Sequence, residues 1–231
     1  MQAGSALGNL ASVAGVHAEE AALVEQLKAG SEEAFAWLIA RYQQPLYSLI
    51  YRVLPNPGDA ADITQEVFVK IFRGISRFHG DASLKTWIYR IALHEALNQR
   101  RWWSRHQRRE VAMEGGEEHE PYVAPLETLT DPQESPFDAA AHAEIACRVE
   151  SALRRVPEPY RTVVVLRDIE GFGYEEIAEI LKTNLGTIKS RLMRGRAHLK
   201  SRLAPFVEAA SRRPSSSPLS VATACSPEEA I

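Results

Sequence analysis

Helical periodicity over residues 19–109 and again over 141–206, scarce strand-like alternation, and an intervening stretch rich in Pro, Gly and acids predict an all-α fold. The expected architecture is two small helical domains joined by an acidic flexible linker, the second domain containing a helix-turn-helix.

Residues 1–18 are rich in Ala, Gly and Ser and precede the first Lys or Arg, Lys28, so they read as a flexible extension and not as a signal peptide. From Glu19 onward, Leu23, Leu27, Phe35, Leu38, Ile39, Tyr42, Leu46, Leu49 and Ile50 supply apolar faces for two or more helices. Leu54-Pro55-Asn56-Pro57-Gly58 breaks the pattern. A helix starting at Asp59 or Asp62 comes next, with Ile63, Val67, Phe68, Ile71 and Phe72 on its buried side and Asp62, Gln65 and Glu66 opposite. Taken alone, that acidic patch is more readily a solvated face than a contact surface.

A loop around His79-Gly80-Asp81 enters a further helix from Leu84 to Arg101. On it Trp87, Arg90, His94, Asn98 and Arg101 recur at spacings of three and four and share one narrow face. Such a face can stack on bases, donate hydrogen bonds and track phosphate, which single-stranded DNA binding requires. The alternative makes Trp87 a core anchor and leaves only the cations exposed.

Residues 110–140, with Gly115-Gly116, Pro121, Pro125, Pro132 and Pro136, lack periodicity and bulky apolar residues and read as the linker. The second domain spans 141–206. Residues 207–231, including Ser215-Ser216-Ser217-Pro218, read as a disordered low-complexity tail.

Within the second domain, Gly173-Tyr174-Glu175-Glu176-Ile177-Ala178-Glu179-Ile180-Leu181 and the segment from Asn184 to Arg196 form two short helical patterns around a tight turn. Ile177, Ala178, Ile180 and Leu181 point inward on the first. On the second, Leu185, Ile188, Leu192, Gly195, Leu199 and Leu203 fall on one stripe, while Ser190, Met193, Arg194 and Ala197 point the other way, flanked by Lys189, Arg191 and Lys200. Small residues permit close approach to a major groove, cations neutralise phosphate, and an Arg can pair with a guanine edge. A lone basic helix is as readily a solvated amphipathic one; the preceding helix and turn favour the DNA reader.

The formal net charge of −3 conceals strong patterning. Residues 100–109 carry five Arg and no acid, 110–147 carry ten acids and neither Lys nor Arg, and 148–213 carry fourteen Lys or Arg against eight acids. Cys147 and Cys225 are far apart without CxxC spacing, which suggests neither a disulfide framework nor a cysteine zinc site and makes a reducing cytoplasm the default. No apolar run approaches membrane-spanning length, so no membrane insertion is expected.

Three segments, "DITQEVFVKIF", "FHGDASLKTWIYRIALHEALNQRR" and, after the acidic stretch, "RDIEGFGYEEIAEILKTNLGTIKSRLMRGRAHLKSRL", together resemble the extracytoplasmic-function group of bacterial sigma factors, in the right order over about residues 20–205. The resemblance implies a promoter-specificity subunit of RNA polymerase. It implies that Asp62, Gln65 and Glu66 contact core polymerase, and that His79, Lys85, Trp87, Arg90, His94, Asn98 and Arg101 serve the −10 element. It further implies that Lys189, Ser190, Met193, Arg194 and Arg196 serve the −35 element, and that an anti-sigma factor is a partner. The chain departs from many relatives by Gly173 at the helix cap, Lys182 in the turn and His94 where Asn is frequent.

Two other readings compete. A helix-turn-helix regulator with a helical dimerisation or sensing domain explains 170–203 but not the aromatic and basic helix of the first domain. A metal-dependent hydrolase is motivated by His142-Ala143-Glu144 near Cys147, but the Pro-Cys-x-x-Cys half of that signature is absent, so no enzyme activity, cofactor or metal is expected.

Overall fold

The computed structural model describes residues 19–54, 57–110 and 136–211, and the described residues are helical with no strand. The expected N-terminal extension 1–18, most of the expected linker and residues 212–231 of the expected tail lie outside them.

Helix α1 covers residues 19–28 and buries Val24 and Leu27. It ends where Gly30 takes φ 81°, a left-handed conformation that a Cβ would strain, while Ser31 N donates to Gln26 O at 3.0 Å. Ser31 then caps α2 (Glu32–Val53), its hydroxyl accepting from Ala34 N at 3.2 Å, with Glu32 and Glu33 in the first turn. Helix α2 continues through Pro45 and buries Leu38, Leu46, Leu49 and Ile50.

A 3₁₀ turn, Pro57–Asp59, leads into α3 (Ala60–Gly74), which buries Ile63, Val67 and Ile71. Phe72 corrects the sequence expectation: it is 62% exposed. One position beyond Ile71 on a helix is 100° around, which puts Phe72 on the rim, where its ring packs against Phe35 at 4.9 Å between centroids. Helix α4 (Leu84–Glu110) begins with its Leu84 amide donating to the Glu20 carboxylate of α1 at 2.6 Å, and its inner side buries Leu84, Ile88, Tyr89, Ala92, Leu93 and Ala96.

The second half comprises α5 (Pro136–Arg154), α6 (Glu158–Val164) with a π-turn (Val165–Ile169), α7 (Tyr174–Ile180) and α8 (Leu185–Ser211). Helix α5 thus starts inside the stretch read as linker. Pro136 suits a first helical position, because its missing N–H would be unpaired there anyway. Helix α8 likewise continues past the expected boundary at Phe206.

Ile188 and Leu192 are buried as the stripe predicts, but Leu185, the first residue of the helix, is 39% exposed. Lys182 in the turn adopts φ 48°. Gly173 caps α7 with one half of a capping box: the Glu176 carboxylate accepts from its amide at 2.7 Å.

The two halves meet through α2 with α6 and α4 with α7, and their buried residues form one continuous core. Between them Arg52 Nε donates to Glu150 Oε1 at 2.6 Å, with both side chains buried, and Arg161 donates to the Val53 and Arg154 carbonyls. Among the described residues no helix is long and apolar enough to cross a membrane.

Candidate nucleic-acid interface

The outward face of α8 is built by the turn that precedes it. Asn184 Oδ1 accepts from Thr187 N at 2.8 Å and starts the helix, and the buried pair Ile188 and Leu192 fixes its rotation. Lys189, Met193 and Arg194 are then exposed, with Ser190 partly so; Met193 is 67% exposed. An open depression of about 530 Å³ lies beside them, lined by Tyr160, Asn184, Gly186, Thr187, Ser190, Arg191 and Arg194. Arg194 donates to the Tyr160 hydroxyl at 3.3 Å, and the Tyr160 ring stacks on His198.

Arg196 stands apart from this group. It makes a two-pronged contact with Asp168, at 3.0 and 2.5 Å, which raises its already high pKa. Sequence reasoning missed Tyr160, Asn184, Gly186 and Thr187. Only Asn184 carried a local signal, as a cap residue at a helix start; Tyr160 arrives from α6 and leaves no trace in the spacing of α8.

On the first half, His79 is exposed at one wall of a cleft of about 500 Å³ between α1 and the loop before α4. Glu20, Glu25 and Lys28 of α1 and Asp81 of the loop line the same cleft, so it has acceptors for base amino groups and little attraction for phosphate. Trp87 is half-buried: its ring lies 5.4 Å from that of Phe78 and rests 3.4 Å from the space above Gly74. The indole therefore anchors the helix and stays only partly exposed. His94 is 67% exposed and contacts Asn98 at 3.0 Å between Nδ1 and Nδ2. Arg101 is exposed.

Lys85 and Arg90 meet the second half of the chain instead of open solvent. Lys85 Nζ donates to the Glu170 carbonyl at 2.9 Å, and Arg90 pairs with Glu179 at 3.0 Å.

Asp62, Gln65 and Glu66 are exposed on α3, beside an apolar groove of about 450 Å³ between α2 and α3 lined by Ile39, Tyr47, Ala61 and Phe68. Exposed Trp37, Val69 and Phe72 extend the apolar surface nearby. Glu144 of the His142-Ala143-Glu144 motif pairs with Arg148 at 2.7 Å, and among the described residues no group of His, Cys, Asp and Glu is arranged to hold a metal ion.

Two family models match the chain: Sigma-70 region 2 over residues 38–109 and Sigma-70 region 4 over residues 148–199. The RNA polymerase sigma-H factor of Pseudomonas aeruginosa is 34% identical over 188 residues, covering 81% of this chain and 95% of that protein. The ECF RNA polymerase sigma-E factor of Escherichia coli K12 is 33% identical over 186 residues, covering 80% and 94%.

Among solved structures, CnrH in complex with the cytosolic domain of CnrY aligns with TM-score 0.56 at 23% identity, over 80% of this chain and 97% of that one. The sigma factor RpoE of Bartonella quintana, solved with the anti-sigma factor NepR, gives 0.56 at 23%, over 74% and 96%. At that identity the likeness is one of fold. The family matches fall on the two helical halves, in order, and the relatives span nearly their whole length: the chain belongs to the extracytoplasmic-function group of RNA polymerase sigma factors.

Proposed function

We propose that, in directing RNA polymerase to promoters, this chain divides its contacts among three surfaces. Lys189, Ser190, Met193 and Arg194 on α8 read the −35 element, and Arg196 contributes charge toward its phosphates. His79, Lys85, Trp87, Arg90, His94, Asn98 and Arg101 serve the −10 element, the cleft beside His79 receiving a base flipped from the duplex. Asp62, Gln65 and Glu66 dock on core polymerase, since an acidic face repels DNA but meets basic residues on a protein.

The observation that carries the reading is on α8: burial of Ile188 and Leu192 turns the cationic and small residues outward together, beside a depression with further polar groups. The functional units are 19–109 and 141–206. The chain acts in the cytoplasm as a non-catalytic initiation factor with no cofactor. An anti-sigma factor is its partner when silent, by likeness to the Bartonella quintana protein solved with one.

Sequencing transcripts after overproduction of the protein tests this division, because it defines both promoter elements at once. Transcripts sharing paired −35 and −10 sequences support it. Start sites that share only one of the two elements would contradict it.

A further inference from the structure

The outward face of α8 has a neighbour that lies outside the helix-turn-helix. Tyr160, in the first turn of α6, is half-buried, and its hydroxyl accepts from Arg194 Nη1 at 3.3 Å. The guanidinium carbon of Arg194 also lies 6.0 Å from the centre of the Tyr160 ring. The ring of His198, one turn further along α8, runs nearly parallel to that of Tyr160, with 17° between the planes and 5.9 Å between centroids. Tyr160 therefore meets two side chains one helical turn apart on α8.

The backbone that carries this ring has little freedom. The Pro157 carbonyl accepts from the amides of both Tyr160 and Arg161 at 3.0 Å, which ties down the start of α6. The buried Arg161 side chain fixes the next residue by donating to the Arg154 and Val53 carbonyls. From α8, Gly195 packs against Tyr160 so closely that a Cβ would stand 3.0 Å from its carbonyl oxygen. Arg194, by contrast, is exposed, and ordering its long side chain on a base edge costs rotamer entropy.

We infer that Tyr160 is a positioning residue for base recognition: its hydroxyl holds the Arg194 guanidinium at the edge of the depression beside α8, ready to donate to the N7 and O6 acceptors of a guanine. The inference rests on the −35 reading of α8 and adds to it a residue from another helix. A guanidinium has N–H donors to spare, and the phenol engages only part of them. A neutral oxygen orients the group without competing with a base for its charge. Arg196 is the contrasting case, since both carboxylate oxygens of Asp168 hold it and it must give up a strong pairing to reach a base. Tyr160 thus preorganises Arg194 and reduces the entropy lost on pairing. Such a contact governs discrimination between bases and leaves the attraction for phosphate unchanged.

The test uses the full chain assembled with core polymerase, and a promoter duplex taken from start sites mapped after overproduction. Its −35 element is changed one base pair at a time while its −10 element is kept. Equilibrium competition gives, for each protein, the ratio of affinities between the parent duplex and each altered one, a ratio independent of the fraction of protein that is folded. Arg194→Ala marks the base pair that Arg194 reads. Tyr160→Phe keeps the ring and removes only the hydroxyl. It should lower discrimination at that base pair about three- to fivefold and leave the other positions unchanged. In the Arg194→Ala background Tyr160→Phe should have no further effect, because the two residues act as a unit.

Tyr160→Phe weakening every duplex by the same factor, or relaxing preference equally with and without Arg194, would overturn the positioning role. Unchanged discrimination in Tyr160→Phe, where Arg194→Ala does relax it, would also overturn that role and leave the −35 reading standing. If Arg194→Ala itself leaves every ratio unchanged, the −35 reading fails, and the role of Tyr160 falls with it.

Discussion

Gly195 of α8 lies against the backbone of Tyr160 of α6: a Cβ at Gly195 would stand 3.0 Å from the Tyr160 carbonyl oxygen and 2.6 Å from Val164 Cγ2. The absence of a side chain lets the two helices cross closely, and that crossing brings Arg194 to the Tyr160 hydroxyl. Because one obstacle is backbone, Gly195→Ala cannot be relieved by a rotamer change. It should cost about 1–3 kcal/mol of stability, by the usual cost of overpacking. Urea unfolding should show a lowered midpoint, and DNA binding by α8 should weaken with it.

Lys182 occupies left-handed backbone in the turn between α7 and α8. A lysine there carries a strain of about 1–2 kcal/mol that glycine lacks, partly offset by glycine's larger entropy in the unfolded chain. Lys182→Gly should therefore raise stability by up to about 1 kcal/mol, and Lys182→Val should lower it. Thermal unfolding of the two variants gives the sign directly.

Much of this geometry was legible in the sequence. The stripe of Ile188, Leu192 and Gly195, the exposure of Asp62, Gln65 and Glu66, and the break before α3 all follow from local periodicity. What was not legible depends on partners distant in the chain. Phe72 stays at the rim with Phe35 of α2 against its ring, and Trp87 packs on Phe78 and above Gly74, where there is no side chain in its way. The pairing of Lys85 and Arg90 with Glu170 and Glu179 joins residues more than eighty positions apart, and no spacing rule connects them. The start of α5 at Pro136 was hidden by composition, since the same prolines and acids that suit a linker also suit a first helical turn.

Arg194 and Arg196 should behave differently although they are two residues apart. Arg194 lines the depression and has only a long contact with Tyr160, whereas Arg196 is held in two places by Asp168. Arg194→Ala should cost about 1–3 kcal/mol on a cognate −35 duplex and relax preference at one position. Arg196→Ala should weaken all duplexes by a smaller and uniform amount. Fluorescence anisotropy against a panel of single-base variants separates the two, and an Arg194→Ala protein with unchanged affinity and preference would remove this reading face.

Reversal of both acidic charges on α3, Asp62→Lys with Glu66→Lys, should abolish association with core polymerase. Both side chains are exposed, so folding should be unaffected, and binding of α8 to DNA should persist. A pull-down of core enzyme beside a duplex-binding assay reads both effects, and undiminished core association would exclude this surface.

The central claim, that α4 and its preceding loop open the −10 element while α8 holds the −35 element, is tested most directly by permanganate footprinting of thymines on a cognate promoter with reconstituted holoenzyme. The account predicts reactive −10 thymines with the parent protein. It predicts diminished reactivity with Arg90→Ala, His94→Ala and Asn98→Ala combined, while protection over −35 and core association stay intact. Equal thymine reactivity in the combined variant, with the same −10 preference, would contradict it.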